Sequence, residues 1–327
     1  MVTYPPRISA FALLALSLAA ATPEADAQSF PSRPIRIVVP TSPSTPPDII
    51  SRVIAGELSE GEGWQVVVEN RPGAVQTLAA SDVIKQSPDG YSILVISLPL
   101  MAAPALLPNL GFQLDTDLTP VIKVSVSYNV LVVNPSVPVK SVSELVSLLK
   151  SQPDKHTFSS GGFGTPAHLI GEMFKLQAGV RATHVPYQQF PQAIGDLLNG
   201  TNQYMFITML PVVDLIKTGK LRALAVTAPK RLSAVMDVPT IVEEAFPGLV
   251  VEDWIGFAVK TGTPNDVVVR LNQAINKALA TPKVHESFAK LGAEPAGGTP
   301  AEYGAFYRSQ MAHWAKVIKD SGIKMQQ

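Results

Sequence analysis

Short β-branched runs alternate with amphipathic stretches from residue 35 onward, and that alternation restricts the chain to one broad architecture. Ile35 to Val39, Val66 to Glu69, Ser92 to Ile96, Val130 to Val133, Tyr204 to Ile207 and Leu224 to Thr227 are brief apolar runs bounded by Pro, Gly or Asn, the pattern of buried strands. Between them the spacing predicts helices over Pro46 to Ser59, Val142 to Lys150, Pro166 to Gln177, Gln192 to Leu198, Pro264 to Ala280 and Pro300 to Asp320. Several of these open with Ser or Thr beside Pro, a helix-start signal. Parallel strands need a crossover, and helices of this length supply it, so the reading is α/β, with mainly parallel sheets flanked by helices. Two such units fit the length better than one. The 29 prolines divide the chain into compact segments, and no internal repeat, low-complexity tract or long linker interrupts them. If two units share a cleft, a ligand belongs at strand C-terminal ends and helix N-termini that face across it.

Residues 1–27 read as a cleavable leader. Arg7 precedes an apolar run from Ile8 to Ala21, and Ala25-Asp26-Ala27 gives the small-x-small pattern of a signal-peptidase site, so the mature chain is expected to start near Gln28. The run is well short of the roughly 20 residues that span a bilayer, and no later segment replaces it. An exported, soluble, periplasmic protein is expected.

Cysteine is absent, which excludes a disulfide framework, thiol catalysis, thiolate metal sites and an acylated cysteine at the cleavage point. The chain must then rely on its core, and at this length on the order of 75% of the unfolded surface is buried on folding. Lys plus Arg equal Asp plus Glu at 26 each, so nothing in the charge balance points to nucleic acid. A small-molecule partner, a monomeric state and no cofactor are expected.

Thr157 to Leu169, T-F-S-S-G-G-F-G-T-P-A-H-L, joins a strand, a glycine-rich turn and a helix start. Gly161, Gly162 and Gly164 let backbone approach a bound group, while Thr165 and Pro166 have the chemistry of an N-cap and first helical residue. Unpaired N–H groups and the positive end of the helix dipole favour a carboxylate or phosphate there. The segment lacks the third glycine of a dinucleotide fingerprint and the Gly-Lys-Ser/Thr of a Walker loop, and by itself it is equally a plain strand-to-helix turn. A second cradle of the same kind follows Ile35 to Val39, where Thr45, Pro46 and Asp48 resemble an N-cap, N1 and an acidic N3.

A series of tags now carries a resemblance. Phe30 to Arg36, Val66 to Ala74 (V-V-V-E-N-R-P-G-A), Pro88 to Tyr91 (P-D-G-Y), Val130 to Ser136 (V-L-V-V-N-P-S), Thr183 to Tyr187 (T-H-V-P-Y), Gly219 to Thr227 (G-K-L-R-A-L-A-V-T), Asp237 to Thr240 and Leu291 to Pro295 occur in an order and spacing that cover nearly the whole mature chain. In these the chain resembles the substrate-binding proteins of tripartite tricarboxylate transporters, the Bug family of periplasmic solute receptors. The resemblance implies a two-lobed periplasmic binding protein fold of type II-like form, its lobes joined by two crossing segments: residues 28–126 plus 251–327 as lobe 1 and 127–250 as lobe 2. It further implies a receptor, not an enzyme, that captures a small organic acid and delivers it to the membrane subunits of such a transporter. The ligand loops it implies are the two cradles, giving Thr41, Ser42, Ser44 and Thr45 from the first. From the second come Ser160, Gly161, Gly162, Phe163, Gly164, Thr165 and His168, with Tyr187 and Gln188 nearby.

The chain departs from the family at both cradles. Where relatives commonly read Pro-Phe-x-Pro-Gly-Gly-Gly-Thr-Asp, it has Pro40-Thr41-Ser42-Pro43-Ser44-Thr45-Pro46-Pro47-Asp48. Three glycines are gone, and prolines stand where backbone N–H groups would donate, each such bond to a charged group being worth roughly 1.5–3 kcal/mol. The four hydroxyls are candidates to replace them. In the second loop the frequent Asn-Gly-Thr-Ser-Ser-His becomes Phe163 to His168, Lys-Gly-Gly after Val-Pro-Tyr becomes Gln188-Gln189-Phe190, and Asp-Asn after Met-Phe becomes Ile207-Thr208. These changes point to a smaller or more apolar pocket suited to an aromatic or hydrophobic acid.

No metal or hydrolytic signature accompanies the five histidines: His285-Glu286 lacks the second His of H-E-x-x-H, and G-x-S-x-G is absent. His184 reads as a packed strand residue, and Asp115-Thr116-Asp117 as a solvated turn without the glycine and terminal Glu of a calcium loop. Gly73 in N-R-P-G is expected at positive φ, and Trp254 and Trp314 in the core. An exported α/β enzyme using Ser160, His168 and an acidic group, or a receptor serving a sensor instead of a permease, are the alternatives.

Overall fold

The computed structural model describes residues 1–3, 30–107, 109–187, 190–209 and 211–323. The leader beyond Thr3 and the candidate ligand residue Gln188 therefore lie outside the described residues. The described residues from Arg33 onward pack as one unit.

That unit runs β1 (Ile35–Val39), α1 (Pro46–Glu62), β2 (Val66–Asn70), α2 (Thr77–Ile84), β3 (Ser92–Ser97), α3 (Leu98–Leu106), α4 (Leu114–Asp117) and β4 (Leu118–Val133). It continues through α5 (Val142–Ser151), β5 (Thr157–Ser160), α6 (Pro166–Ala178), β6 (Thr183–Pro186), α7 (Phe190–Leu198), β7 (Tyr204–Thr208), α8 (Val213–Lys217) and β8 (Arg222–Val226). The last elements are β9 (Glu252–Lys260), α9 (Asn265–Leu279), α10 (Pro282–Lys290), β10 (Ala293–Gly297) and α11 (Pro300–Ser321).

The strands follow the order β2-β1-β3-β9-β4-β7-β5-β6, with β10 and β8 also pairing β4. The sheet is mixed. β1 pairs β2 and β3 in parallel, and β5 pairs β6 and β7 in parallel, as helix crossovers require. Strand β9 runs antiparallel to β3 and β4, while β10, β7 and β8 run antiparallel to β4. Strand β4 changes partners along its length. Leu118 to Tyr128 pair β9, whereas Asn129 to Val133 pair β7.

β4 begins well ahead of the expected Val130, because Pro120, Lys123 and Ser125 interrupt the apolar run. Register shifts between Pro120 and Ile122 and between Lys123 and Ser125 accommodate them. The second half of β4 is buried on both faces. Leu131 and Val133 join the cluster that holds Phe158, Phe174, Tyr204, Phe206 and Trp254, while Val130 and Val132 join Met205, Ile207 and Leu197. Trp254 and Trp314 are core residues, 0% and 1% exposed. At its far end α1 is tied to α9, where the nearly buried Glu62 takes Arg270 at 2.7 Å and Lys277 at 2.9 Å.

Candidate functional site

Strand β5 ends at Ser160, and the chain turns through Gly161 to Gly164 before α6 starts at Pro166. Gly162 and Gly164 adopt φ of 112° and 75°, which side-chain-bearing residues rarely reach. Thr165 occupies the N-cap position with extended backbone (φ −68°, ψ 156°), as expected, but its side chain does not cap the helix. Its Oγ1 donates to Gly162 O at 2.7 Å, clamping the turn.

Beneath the turn lies a buried polar floor. Ser160 Oγ is 2.7 Å from His184 Nε2 and accepts from Gly162 N at 3.1 Å, and His168 Nδ1 accepts from Gly164 N at 3.1 Å. The two imidazoles lie 4.3 Å apart, with Phe158 stacked on His184 at 4.8 Å and Phe163 edge-on to both. Burial, and then Lys175, hold His168 down at about 4, while burial, His168 and Lys175 hold His184 down at about 3. Both rings are neutral at pH 7, so the floor carries no charge of its own.

The glycine amides are therefore not all available to a ligand. Those of Gly162 and Gly164 are spent on Ser160 and His168. In the first turn of α6 the first i→i−4 bond runs from Leu169 N to Thr165 O, leaving the N–H groups of Ala167 and His168 ahead of it. These two amides and the positive end of a 13-residue helix dipole converge at this first turn. A further polar group lies on the α6 side of the sheet. Asn129 is 1% exposed, sits opposite Thr208 in the β4–β7 register, and its Nδ2 has no acceptor among the described residues.

The first loop is built differently. Its helix opens with Pro46 and Pro47, which have no N–H, and Ile49 N already bonds Thr45 O, so only the amide of Asp48 precedes the first helical bond. Thr45 holds the N-cap position, yet its Oγ1 bonds Ser42 O at 2.8 Å and meets Thr41 Oγ1 at 2.7 Å. Two of the four hydroxyls expected to replace glycine amides are thus committed to the loop itself. Ser42 and Ser44 are exposed, and Ser44 is held at φ 65°. The acidic N3 residue works as an anchor: Asp48, 2% exposed, accepts from Ser44 N, Asn70 Nδ2 and Arg52 Nε. Burial would raise its carboxyl, but Arg52, Asn70 and Ser44 outweigh that and hold it below the ordinary range. A buried anion at this helix start opposes a second anion there.

Sequence reasoning missed a third contributor, the turn between β2 and α2. Gly73 enters it at φ 127°, as expected, but Ala74, Val75 and Gln76 follow at 46°, 53° and 71°. Left-handed backbone costs a residue with a side chain about 1–2 kcal/mol, and a β-branched one is an outlier there. Buried contacts hold it: Gln76 exchanges hydrogen bonds with Ser97 Oγ at 2.7 and 3.1 Å. The N-R-P-G-A tag located this turn but gave no sign of its left-handed continuation. Val75 reaches the second loop, its Cγ1 lying 2.9 Å from where a Cβ on Gly164 would stand, with Leu106 Cδ1 at 3.4 Å from the same point.

The remaining expected residues fall into place around this centre. A Cβ on Gly161 would stand 3.2 Å from Phe190 Cδ2, and Phe163 is half-buried. Tyr187 does not offer its hydroxyl: it donates to Asp196 Oδ2 and accepts from Asn202 Nδ2, both at 2.6 Å. His184 is a strand residue, as expected, and it is the histidine that meets Ser160, whereas His168 serves Gly164. The Ser160–His184 pair is a support, since Ser160 is wholly buried and no carboxylate orients either ring among the described residues. Nor does any group of three or more His, Asp or Glu there stand ready for a metal. Two surface depressions, of about 610 Å³ along Asn109–Asp117 and about 310 Å³ beside Arg222 and Ile216, are lined by no residue of either loop.

Residues 50–323 match the family described as tripartite tricarboxylate transporter family receptor. Protein BugT of Bordetella pertussis is 34% identical over 301 residues, which are 91% of this chain and 92% of that protein. Among solved structures, an R. palustris protein with adipate superposes with a TM-score of 0.82 at 32% identity, covering 90% of this chain and all of that one. The periplasmic binding protein BugD gives 0.81 at 32% identity with the same coverage.

Proposed function

This chain belongs to the tripartite tricarboxylate transporter receptor family, whose members are solute-binding receptors and not enzymes, and on that premise we propose that it captures one small organic carboxylate at the first turn of α6. The observation that carries this reading is the pair of amides on Ala167 and His168, which precede the first helical bond above a floor that is buried, hydrogen-bonded and uncharged. A fixed floor keeps the donors pre-organised, so little ordering cost is charged against binding. The similar R. palustris protein solved with adipate supports a carboxylate as the ligand class.

Apolar side chains stand at this turn, Val75 and Leu106 against Gly164 and Phe163 edge-on to His168, while the first loop leaves one amide beside a buried carboxylate. That composition favours an acid with an aromatic or hydrophobic body. Captured ligand would pass to the membrane subunits of a tripartite transporter, in the periplasm, after removal of residues 1–27. In this reading residues 28–126 with 251–327 form one lobe and 127–250 the other. They would hinge where β4 changes partners between Tyr128 and Asn129, and beside Val251.

Native mass spectrometry of the freshly purified mature chain, followed by calorimetry with the acid it carries, tests the proposal. One small acid bound per chain, released on denaturation, is expected. A chain that carries no acid and gives no heat with a panel of mono- and dicarboxylates overturns it.

A further inference from the structure

Position 164 admits no side chain. Its φ is 75°, and a Cβ there would meet Val75 Cγ1 at 2.9 Å and Leu106 Cδ1 at 3.4 Å. An isopropyl group delivered from a distant turn therefore stands against the backbone that carries the candidate ligand donors. The chain holds that group in place against its own preference, since Val75 lies at φ 53°, ψ 42° between two further left-handed residues. Strain held by surrounding contacts beside a candidate binding turn points to use. Those contacts are specific: the paired bonds of Gln76 with Ser97, and Thr77 Oγ1 donating to Ala74 O at 2.7 Å, fix the residues that flank Val75.

We infer that Val75 is a specificity-determining residue, selecting a ligand with one carboxylate and an apolar body over a dicarboxylate; the inference rests on the receptor reading above. With the carboxylate on the α6 amides, the remainder of the ligand meets the methyl groups of Val75 and Leu106. A second carboxylate there would lose its water against those methyl groups, and the cations of the flanking segments are engaged, Arg52 with Asp48, Lys175 with Glu172 and Arg71 with Glu69 at 3.9 Å. An apolar body loses nothing by the same transfer and gains from it.

Calorimetry on the mature chain, with benzoate and hexanoate against succinate and adipate as probes, tests this with Val75→Gly. The parent is expected to favour the two monocarboxylates. The variant should lose about ten-fold on them, the equivalent of two buried methyl groups, and should hold or improve its binding of the two dicarboxylates. Val75→Ala, which keeps one carbon at this position, should fall between parent and glycine variant and serves if the latter fails to fold. A variant whose ratio of monocarboxylate to dicarboxylate affinity matches the parent's, whether its affinities are unchanged or uniformly lowered, overturns the inference. If Thr165→Ala meanwhile weakens all four acids alike, the receptor reading stands without it. A parent that binds none of the four overturns the inference; if it also carries no acid on purification, the reading of a carboxylate at α6 falls with it.

Discussion

Replacing Gly171 by alanine is expected to destabilise the chain and weaken its ligand site together. Gly171 lies in α6 over the Phe158 ring, and a Cβ there would stand 2.3 Å from Cε2 and 2.7 Å from Cδ2. Ordinary contact begins near 3.4 Å, so about 1 Å must be found. The ring has little room to give, being fully buried between His184 at 4.8 Å and Tyr204 at 5.6 Å. Helix α6 must then lift from β5, and its first-turn amides move with it. Overpacking costs about 1–3 kcal/mol, and the better helix propensity of alanine returns up to about 1, leaving a net loss of about 1–2 kcal/mol. For a chain of this size that lowers the melting temperature by about 2–4 °C. Displaced donors should reduce affinity for the native acid by about ten-fold, since a hydrogen bond to a charged group is worth about 1.5–3 kcal/mol. Gly56→Ala is the matched control. It is also in a helix interior, but nothing lies within 4 Å of its Cβ, so the same substitution should stabilise by about 0.5–1 kcal/mol. Scanning calorimetry and binding calorimetry read both effects. If Gly171→Ala melts at or above the parent and binds with unchanged affinity, the packing of α6 on Phe158 does not position the site.

Thr165→Ala removes the clamp on Gly162 O and should weaken acid binding about ten-fold in titration calorimetry while costing only about 0.5–1.5 kcal/mol of stability. Ser44→Gly relieves a left-handed residue at an exposed position, so the urea midpoint should rise by the equivalent of roughly 1 kcal/mol. Acid should destabilise the chain through its two neutral histidines. Their folded values of about 4 and about 3 lie below the ordinary 6.5, so the unfolded chain binds more protons in that window. Stability is unaffected by them above pH 6.5 and falls as the pH drops toward 4 and then 3, by on the order of 1.4 kcal/mol per pH unit for each histidine. His184→Gln should flatten that limb by one histidine's share; a variant whose melting temperature falls as steeply as the parent's speaks against a neutral His184.

Much of this was visible in the residues. β1 was read with its observed bounds, and Pro166 and Pro300 opened helices where Thr-Pro pairs said they would. The strand–turn–helix from Thr157 to Leu169 needed no structure to find, because glycine, threonine and proline each mark one backbone state there. Three things stayed hidden for physical reasons. No helix was read over Leu98–Leu106, where Pro99 and Pro104 weaken the local helix preference, yet α3 is buried along most of its length and the surrounding core overrides that preference. β9 opens with Glu252 and Asp253 and carries Gly256, where Tyr303 packs so closely that no side chain fits; a strand read by apolar pattern alone does not include them. Hydrogen-bond commitments were also out of reach. That the amides of Gly162 and Gly164 face inward depends on His168 and His184, and His184 comes from a different strand.

Strand β9 lies between β3 and β4 although the ribosome makes it long after both. Until it arrives, the growing chain presents β3 and the first half of β4 as strands without a partner between them, each an invitation to pair with another chain. Neither can close early by local contacts, because the hydrogen bonds they lack are long-range in sequence and slow to form. The strand that joins the two halves of the sheet thus also sets when the sheet can exist. The pairing of β3 and the first half of β4 waits on a segment made more than a hundred residues later.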